Sequence, residues 1–286
     1  KAQEVFDKLP IRNVVIWTAL IAGYAENGHG EEALQCLTQI ESNGLTLDAS
    51  AFVCVLKACG VIGIRALSKG QELHADIVQK GFLERNVFIG SVLVDMYAKC
   101  GYLAEASSIF GGLKARNVVI WTALLSGYVE HGLGDVALSF SEQMQIEKIS
   151  PNAVTLICWL RACGSIKDIQ RGDKLYMDVV IHGLENELLV GNAIIDMYAK
   201  CELMETAAEV FEKHPVRDVV SWNTLIAGYV EYEYSREAFC YLEQMQHEGI
   251  LQSAITYVCA LKACASIRAG VKGQKVHAEV IVKGLE

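Results

Sequence analysis

The stretch VVIWTALIAGY, Val14 to Tyr24, is written three times in this chain. It returns as VVIWTALLSGY from Val118 to Tyr128 and as VVSWNTLIAGY from Val219 to Tyr229. In the first copy Trp17, Leu20, Ile21 and Tyr24 hold the 3–4 spacing of one buried helical face. Asn27-Gly28 breaks that helix, and Ala33, Leu34, Leu37 and Ile40 give the matching face of a second, which Asn43-Gly44 ends. Two short helices and a turn therefore make one unit, Val14–Asp48. A long period built from such hairpins marks a solenoid.

Between the copies lie two further variants, also repeated. Ala49–Asn86 has an almost wholly apolar first helix (AFVCVLKAC) and a second around GQELHADIVQKG. Val87–Asn117 is shorter, with SVLVDMYAKCG followed by LAEASSIF. The cycle recurs as Val118–Asn152, Ala153–Glu187 and Leu188–Asp218, then starts again with Val219–Ser253 and Ala254–Glu286. Residues 1–13 read as the end of a preceding short unit. Ala49–Asn86 is three residues longer than Ala153–Glu187, and the excess is expected in GVIGIRALSKG (Gly60–Gly70), read as a loop where insertion costs little. Because the chain opens and closes in mid-repeat, it reads as a piece of a longer protein, with any targeting segment outside it.

The bulk composition agrees with stacked helices: 52 % of the 286 residues are hydrophobic and only three are proline. No apolar run in the sequence reaches the roughly 18 residues of a membrane-spanning helix, and the opening KAQEVFDKLP has no signal-peptide pattern. The formal charge of −9 argues on its face against a polyanionic partner, although net charge governs solubility and steering more than what one stripe of surface binds. Six of the ten cysteines form Cys-x4-Cys pairs (Cys54/Cys59, Cys158/Cys163, Cys259/Cys264) at one place in one unit type. Zinc sites favour two- to four-residue gaps together with histidine partners, and no such set is present. These cysteines read as small core residues in a reducing compartment, with no metal and no cofactor. His277-Ala278-Glu279 matches the H-x-E of zinc deaminases, but the chain has no Pro-Cys-x-x-Cys. It falls where His74-Ala75-Asp76 and Tyr176-Met177-Asp178 stand in the sister units, so it reads as scaffold. Without a Ser/His/Asp constellation or a phosphate-binding glycine loop, this segment is not expected to be an enzyme.

The alternation of 35-, 35- and 31-residue units carrying NTLIAGY, LKACxxI and DMYAKCG resembles the pentatricopeptide-repeat family, more narrowly its plant subclass of alternating P, L and S repeats. The resemblance covers essentially the whole chain. It implies an all-α fold, an α-solenoid (right-handed superhelix) of helix-turn-helix repeats that reads single-stranded RNA at one base per repeat. It also implies which residues face the base: the fifth and the last of each unit. In the P-type units these are Thr18 with Asp48, Thr122 with Asn152, and Asn223 with Ser253. In the S-type units they are Ser91 with Asn117, and Asn192 with Asp218. All are small and polar, as base-edge discrimination requires, although a Thr, Ser or Asn near a helix start is ordinarily a cap. The L-type units have Val53, Ile157 or Val258 at the fifth position, which cannot read a hydrogen-bonding edge.

Carried onto these pairs, the family's code gives G-N-A-A-N-U-C-N, with the N-terminus toward the RNA 5′ end. The second residues, Val15, Phe88, Val119, Leu189 and Val220, would sandwich the bases, though apolar residues there could equally be core. Lys99 and Lys200 stand where the family often contacts phosphate, but the P-type units carry Glu26, Glu130 and Glu231 at the equivalent place. Lys57, Arg161 and Lys262 of the L-type units could compensate, or could merely be solvated. The resemblance further implies an organellar RNA-processing factor of mitochondrion or chloroplast, most often one for C-to-U editing. Its partners would be single-stranded RNA and editing-complex proteins or a deaminase domain in cis or in trans, with no membrane. A protein- or peptide-binding solenoid is the alternative, and the acidic balance supports it.

Overall fold

The computed structural model describes residues 4, 6 and 13–284. Most of the short unit expected over residues 1–13, and the last two residues of the 254–286 unit, lie outside the described residues. Among those described there is no strand. The chain is a succession of hairpins: α1 (Val14–Glu26) with α2 (Gly30–Ser42), α3 (Ala49–Ile62) with α4 (Leu67–Gln79), and α5 (Val87–Lys99) with α6 (Leu103–Gly112). Then come α7 (Val118–Glu130) with α8 (Gly134–Ile146), α9 (Ala153–Ile166) with α10 (Ile169–Ile181), and α11 (Leu188–Lys200) with α12 (Met204–Lys213). The series ends with α13 (Val219–Glu231) and α14 (Ser235–His247), and α15 (Ala254–Ser266) and α16 (Gly270–Val282).

The helices gather into two compact units, one of residues up to Leu133 with Phe140–Ser150, the other of Gly134–Ser139 with Pro151 onward. In the first, α1 packs on α3, α3 on α5 and α5 on α7. In the second, α9 packs on α11, α11 on α13 and α13 on α15. Helices α2, α4 and α6 of the first, and α10, α12 and α14 of the second, each pack on the first helix of their own hairpin and of the next. No hairpin buries its apolar face alone, and stacking supplies the missing partner.

Each P-type unit is fixed to the S-type unit before it by an aromatic pair. Phe6 meets Trp17 with ring centroids 4.4 Å apart, Phe110 meets Trp121 at 4.6 Å, and Phe211 meets Trp222 at 4.7 Å. A guanidinium then covers the pair from the connecting loop. Arg116 lies 4.8 Å over Phe110 and Arg217 lies 5.1 Å over Phe211. The same two arginines bond Glu147 and Glu248 at the end of the following hairpin. One side chain thus ties three segments by cation–π attraction and charge.

Two expectations change. Gly60–Gly70 is not a loop: α3 passes through a 3₁₀ turn, Gly63–Ala66, directly into α4. Four residues stand there where Lys167-Asp168 join α9 to α10, so two of the three extra residues lie in that turn. The third follows α4, where Phe82–Arg85 form a single helical turn. The continuous helical run Ala49–Gln79 is consequently long and apolar enough, by length and composition, to cross a membrane, which no single helix of the sequence pattern was. Its apolar face is occupied within the fold, for Phe52, Val55, Leu56, Ala58 and Cys59 are fully buried, and α3 packs against α1 and α5.

The turn after each P-type first helix requires a left-handed residue. Gly28 (φ +80°) and Gly132 (φ +76°) supply it cheaply, but the third copy places Glu233 there at φ +66°. A side chain at such a φ costs about 1–2 kcal/mol, so Glu233→Gly should raise stability by up to about 1 kcal/mol in urea denaturation. Trp222 is fully buried between Phe211 and Tyr241. Trp222→Ala should cost about 3–5 kcal/mol in the same assay.

Candidate nucleic-acid interface

The last residue of each P- and S-type unit does structural work first. The side chain of Asp48 accepts from the Ala51 N–H at 2.8 Å, Asn117 from Ile120 at 3.1 Å, Asn152 from Thr155 at 2.9 Å, and Asp218 from Ser221 at 2.9 Å. Ser253 accepts from Thr256 at 3.4 Å. All five are therefore N-caps of the next unit's first helix. The bond uses one oxygen and fixes the side chain, leaving the second carboxylate oxygen or the amide nitrogen to face elsewhere. Burial alone would push the Asp218 carboxyl up. The N–H and hydroxyl of Ser221, with Asn192 beside it, outweigh this and hold it below the usual carboxylate range.

The fifth residues sit one turn into each first helix. Thr18 and Thr122 donate their hydroxyls to the carbonyls of Val14 and Val118, both at 2.7 Å, and Ser91 donates to that of Phe88 at 2.7 Å. An oxygen committed in this way can only accept from a base. Asn192 and Asn223 are buried. The amide of Asn223 donates to Ser253 Oγ at 2.9 Å, which brings the fifth and last residues of that unit into direct contact across thirty positions of chain. Asn192 lies beside Asp218 without a bond of good geometry.

The second residues point outward. Val15, Phe88, Val119, Leu189 and Val220 are all exposed, from 51 % (Val220) to 71 % (Phe88), so the core alternative is excluded for each. Sequence reasoning stopped at the P- and S-type units, yet Val154 and Ile255, second in their L-type units, are exposed in the same way. The signal was in the sequence, since they occupy the same register. Within the second compact unit, Val220 and Ile255 line a cleft of about 280 Å³ together with Asn223, Lys200, Asp196 and Glu231. Two apolar side chains from successive repeats thus border a space that also holds a hydrogen-bonding amide and a lysine.

The lysines are not free cations. Lys99 bonds Asp95 at 2.8 Å and Lys200 bonds Asp196 at 2.7 Å, each one turn back on its own helix. Glu26, Glu130 and Glu231 are exposed, as are Lys57, Arg161 and Lys262. None of the ten cysteines is in a disulfide, and most are buried, with Cys54 and Cys201 half-buried and Cys240 exposed. Burial pushes the Cys59 and Cys163 thiols up to about 12, which makes them poor nucleophiles and poor metal ligands. Among the described residues no three His, Cys, Asp or Glu side chains are grouped to hold a metal ion. His277 and Glu279 lie on α16, none of whose residues is buried.

Known sequences bear on this arrangement. The PPR repeat family profile matches residues 12–60, 116–165 and 217–266, and the single PPR repeat profile matches 91–118 and 192–213, together well over half of the chain. The chain belongs to the pentatricopeptide repeat family. A chloroplastic pentatricopeptide repeat-containing protein of Arabidopsis thaliana, CRR2, is 37 % identical over 268 residues, covering 92 % of this chain and 41 % of its own length. A mitochondrial one from the same plant, At1g06140, is 31 % identical over 264 residues, covering 92 % and 47 %. The chain thus spans less than half the length of these relatives. Among solved structures, the pentatricopeptide repeat protein PPR10 in complex with an 18-nucleotide psaJ RNA element has the same fold. Its TM-score is 0.77 over all of this chain and 43 % of that one, at 22 % identity.

The capping role of the last residue can be tested by substitution. Asp218→Ala removes the cap and should cost about 1 kcal/mol of stability, whereas Asp218→Asn, an equivalent cap, should cost only a few tenths. Thermal and urea unfolding of the two variants would check this.

Proposed function

We propose that this chain binds single-stranded RNA at one base per P- or S-type repeat, as the guide array of an organellar RNA-processing factor. The single observation that carries the reading is the cleft bordered by Val220, Ile255, Asn223 and Lys200. There the second residues of two neighbouring repeats flank the fifth residue, which is itself bonded to the last. Apolar side chains above and below suit a base's faces, and the amide suits its edge.

In this reading Thr18/Asp48, Ser91/Asn117, Thr122/Asn152, Asn192/Asp218 and Asn223/Ser253 specify G-N-A-A-N-U-C-N, and the L-type repeats space the array. Membership of the family, and relatives that are chloroplastic or mitochondrial, support an organellar role. The P-L-S alternation supports site-specific C-to-U editing, with a deaminase domain in cis or in trans and editing-complex proteins as partners. The acidic charge and the lysines already paired with aspartate favour the rival reading, a peptide-binding solenoid.

Anisotropy titration at two salt concentrations separates the two. RNA containing GNAANUCN should bind better than the same RNA with its three purines swapped. Equal binding that vanishes with salt would remove the code, and no binding to either would favour the peptide-binding reading. Because Lys99 and Lys200 are the two candidate phosphate contacts and both are ion-paired, the log K against log salt slope should be no steeper than about −1.5, at about 0.7 per phosphate for a single strand.

The first pair gives a sharper test. Asp48 can only accept, which suits the N–H groups on the guanine edge, whereas an amide can also donate to the bare ring nitrogen of adenine. Asp48→Asn keeps the cap on Ala51, so it should move the preference at that nucleotide from G to A with little change in stability. A variant that loses affinity for both bases equally would count against the pair.

A further inference from the structure

A nucleotide has three parts in fixed order: base, ribose and phosphate. The ribose carries what marks RNA from DNA, a 2′-hydroxyl that can both donate and accept a hydrogen bond. Contacts to a base edge do not by themselves tell the two polymers apart. A chain that selects RNA needs a polar group where the sugar lies.

The cleft of the second compact unit has one. Its floor is a run of α13 residues, Val220, Asn223, Thr224, Ala227, Gly228 and Glu231 in order. Val220, Ile255 and Asn223 form one end, which suits a base. Lys200 stands toward the other, since Gly228 packs on Ala199, the residue before it. From Val220 to Gly228 is about 12 Å along the helix axis, room for one nucleotide and a reaching lysine side chain. With the base at Val220 and the phosphate toward Lys200, the ribose lies over the middle of the run. Thr224 is there, one turn from either end.

Thr224 is partly exposed, and its hydroxyl donates to the Val220 carbonyl at 2.9 Å, leaving the oxygen free to accept. A 2′-hydroxyl can donate to that oxygen. If the Thr224 proton turns away from Val220, the 2′-hydroxyl can accept it instead, so either direction gives one bond. The other oxygens of the cleft are placed elsewhere. Asp196 is taken up by Lys200, and the Tyr232 hydroxyl donates to the Lys200 carbonyl at 3.0 Å. Glu231 stands about two turns beyond Asn223. Thr224 is the sixth residue of its unit, and the other seven units have Ala, Val or Cys at that place, from Ala19 to Cys259. This polar group therefore belongs to one unit alone.

We infer that Thr224 recognises the ribose 2′-hydroxyl of the nucleotide read by Asn223 and Ser253, so that the 219–253 unit tells RNA from DNA. This rests on the RNA reading proposed above, which makes that nucleotide the seventh of G-N-A-A-N-U-C-N. The test is competition binding of GUAAUUCU against two versions of itself. One carries a single 2′-deoxynucleotide at the seventh position, the other at the first, where the corresponding floor residues are Ala19, Ala22 and Gly23. In wild type the missing hydroxyl should weaken binding about three- to tenfold at the seventh position, the worth of one neutral hydrogen bond, and less than about twofold at the first. Thr224→Val, which keeps the shape, and Thr224→Ala should both bring the loss at the seventh position under about twofold. Thr224→Ser should retain it. Ala19 and Ala123 hold the same place in the other P-type units, so the alanine variant has a folding precedent.

Each variant is compared with itself on the two sugars, which separates the contact from any general change in affinity. The inference is overturned if Thr224→Val or Thr224→Ala loses as much as wild type when the seventh 2′-hydroxyl is removed. It is also overturned if wild type, while preferring GUAAUUCU to its purine-swapped form, is no more sensitive at the seventh position than at the first. If wild type shows no preference over the purine-swapped RNA, the RNA reading fails and this inference with it. That comparison involves no deoxy sugar, so it identifies the case.

Discussion

The first N–H groups of a helix have no partner within it, and this chain begins a new helix at every repeat. Seven of the eight described first helices are preceded by a short side chain that turns back and accepts from the first turn, Glu187 before α11 being the exception. Asp48, Asn117, Asn152, Asp218 and Ser253 answer that constraint. Because the cap geometry fixes the direction of the side chain, it also places a polar group at the start of each such helix, and Asp218 and Ser253 lie beside the fifth residues, Asn192 and Asn223, of their own units. In the proposed reading capping and recognition are one design, and neither displaces the other. A residue able to cap with one atom and read with another is limited to Asn, Asp, Ser or Thr.

The caps set local direction, but register between repeats comes from the core. Trp121 and Trp222 are held edge-on against Phe110 and Phe211 of the preceding unit, with Arg116 and Arg217 closing over the contact. Such a joint between successive hairpins tolerates little sliding, since rings at under 5 Å cannot shift without losing their contacts. The longer 49–86 unit shows how length is absorbed without loss of register. Its extra residues enter a 3₁₀ turn and a single helical turn outside the stacked first helices. The buried face of α3 is left intact.

In the proposed reading the electrostatics are unusual for a surface offered to a polyanion. Lys200, which borders the cleft, is compensated by Asp196 one turn away, Glu231 also lines the cleft, and Lys99 is likewise paired with Asp95. Attraction between phosphate and cation is thus weak. In the proposed reading most of the affinity would come from stacking against exposed apolar residues and from base-edge bonds. Weak backbone attraction narrows the gap between overall affinity and the part of it that depends on sequence.

Much of this was legible without coordinates. The three copies of VVIWTALIAGY give the period, the 3–4 spacing gives the helices, and the fixed offsets give candidate caps and readers, because each depends on residues within a few positions of one another. What lay beyond the sequence were relations across thirty or more residues. Apolar spacing alone left Val15, Phe88 and Val220 divided between core and surface, and stacking put them outside. The pairing of Lys99 and Lys200 with Asp95 and Asp196 is the exception, for it spans only four residues and was open to sequence reasoning. Gly60–Gly70 looked like a loop because glycine breaks helices on average, yet neighbouring packing holds it helical. Thr256 reads locally as a capping residue. Its bond to Asn223, 33 positions earlier, exists because one repeat stacks on the next. Local chemistry is written along the chain, whereas convergence is decided by which helices the buried faces bring together.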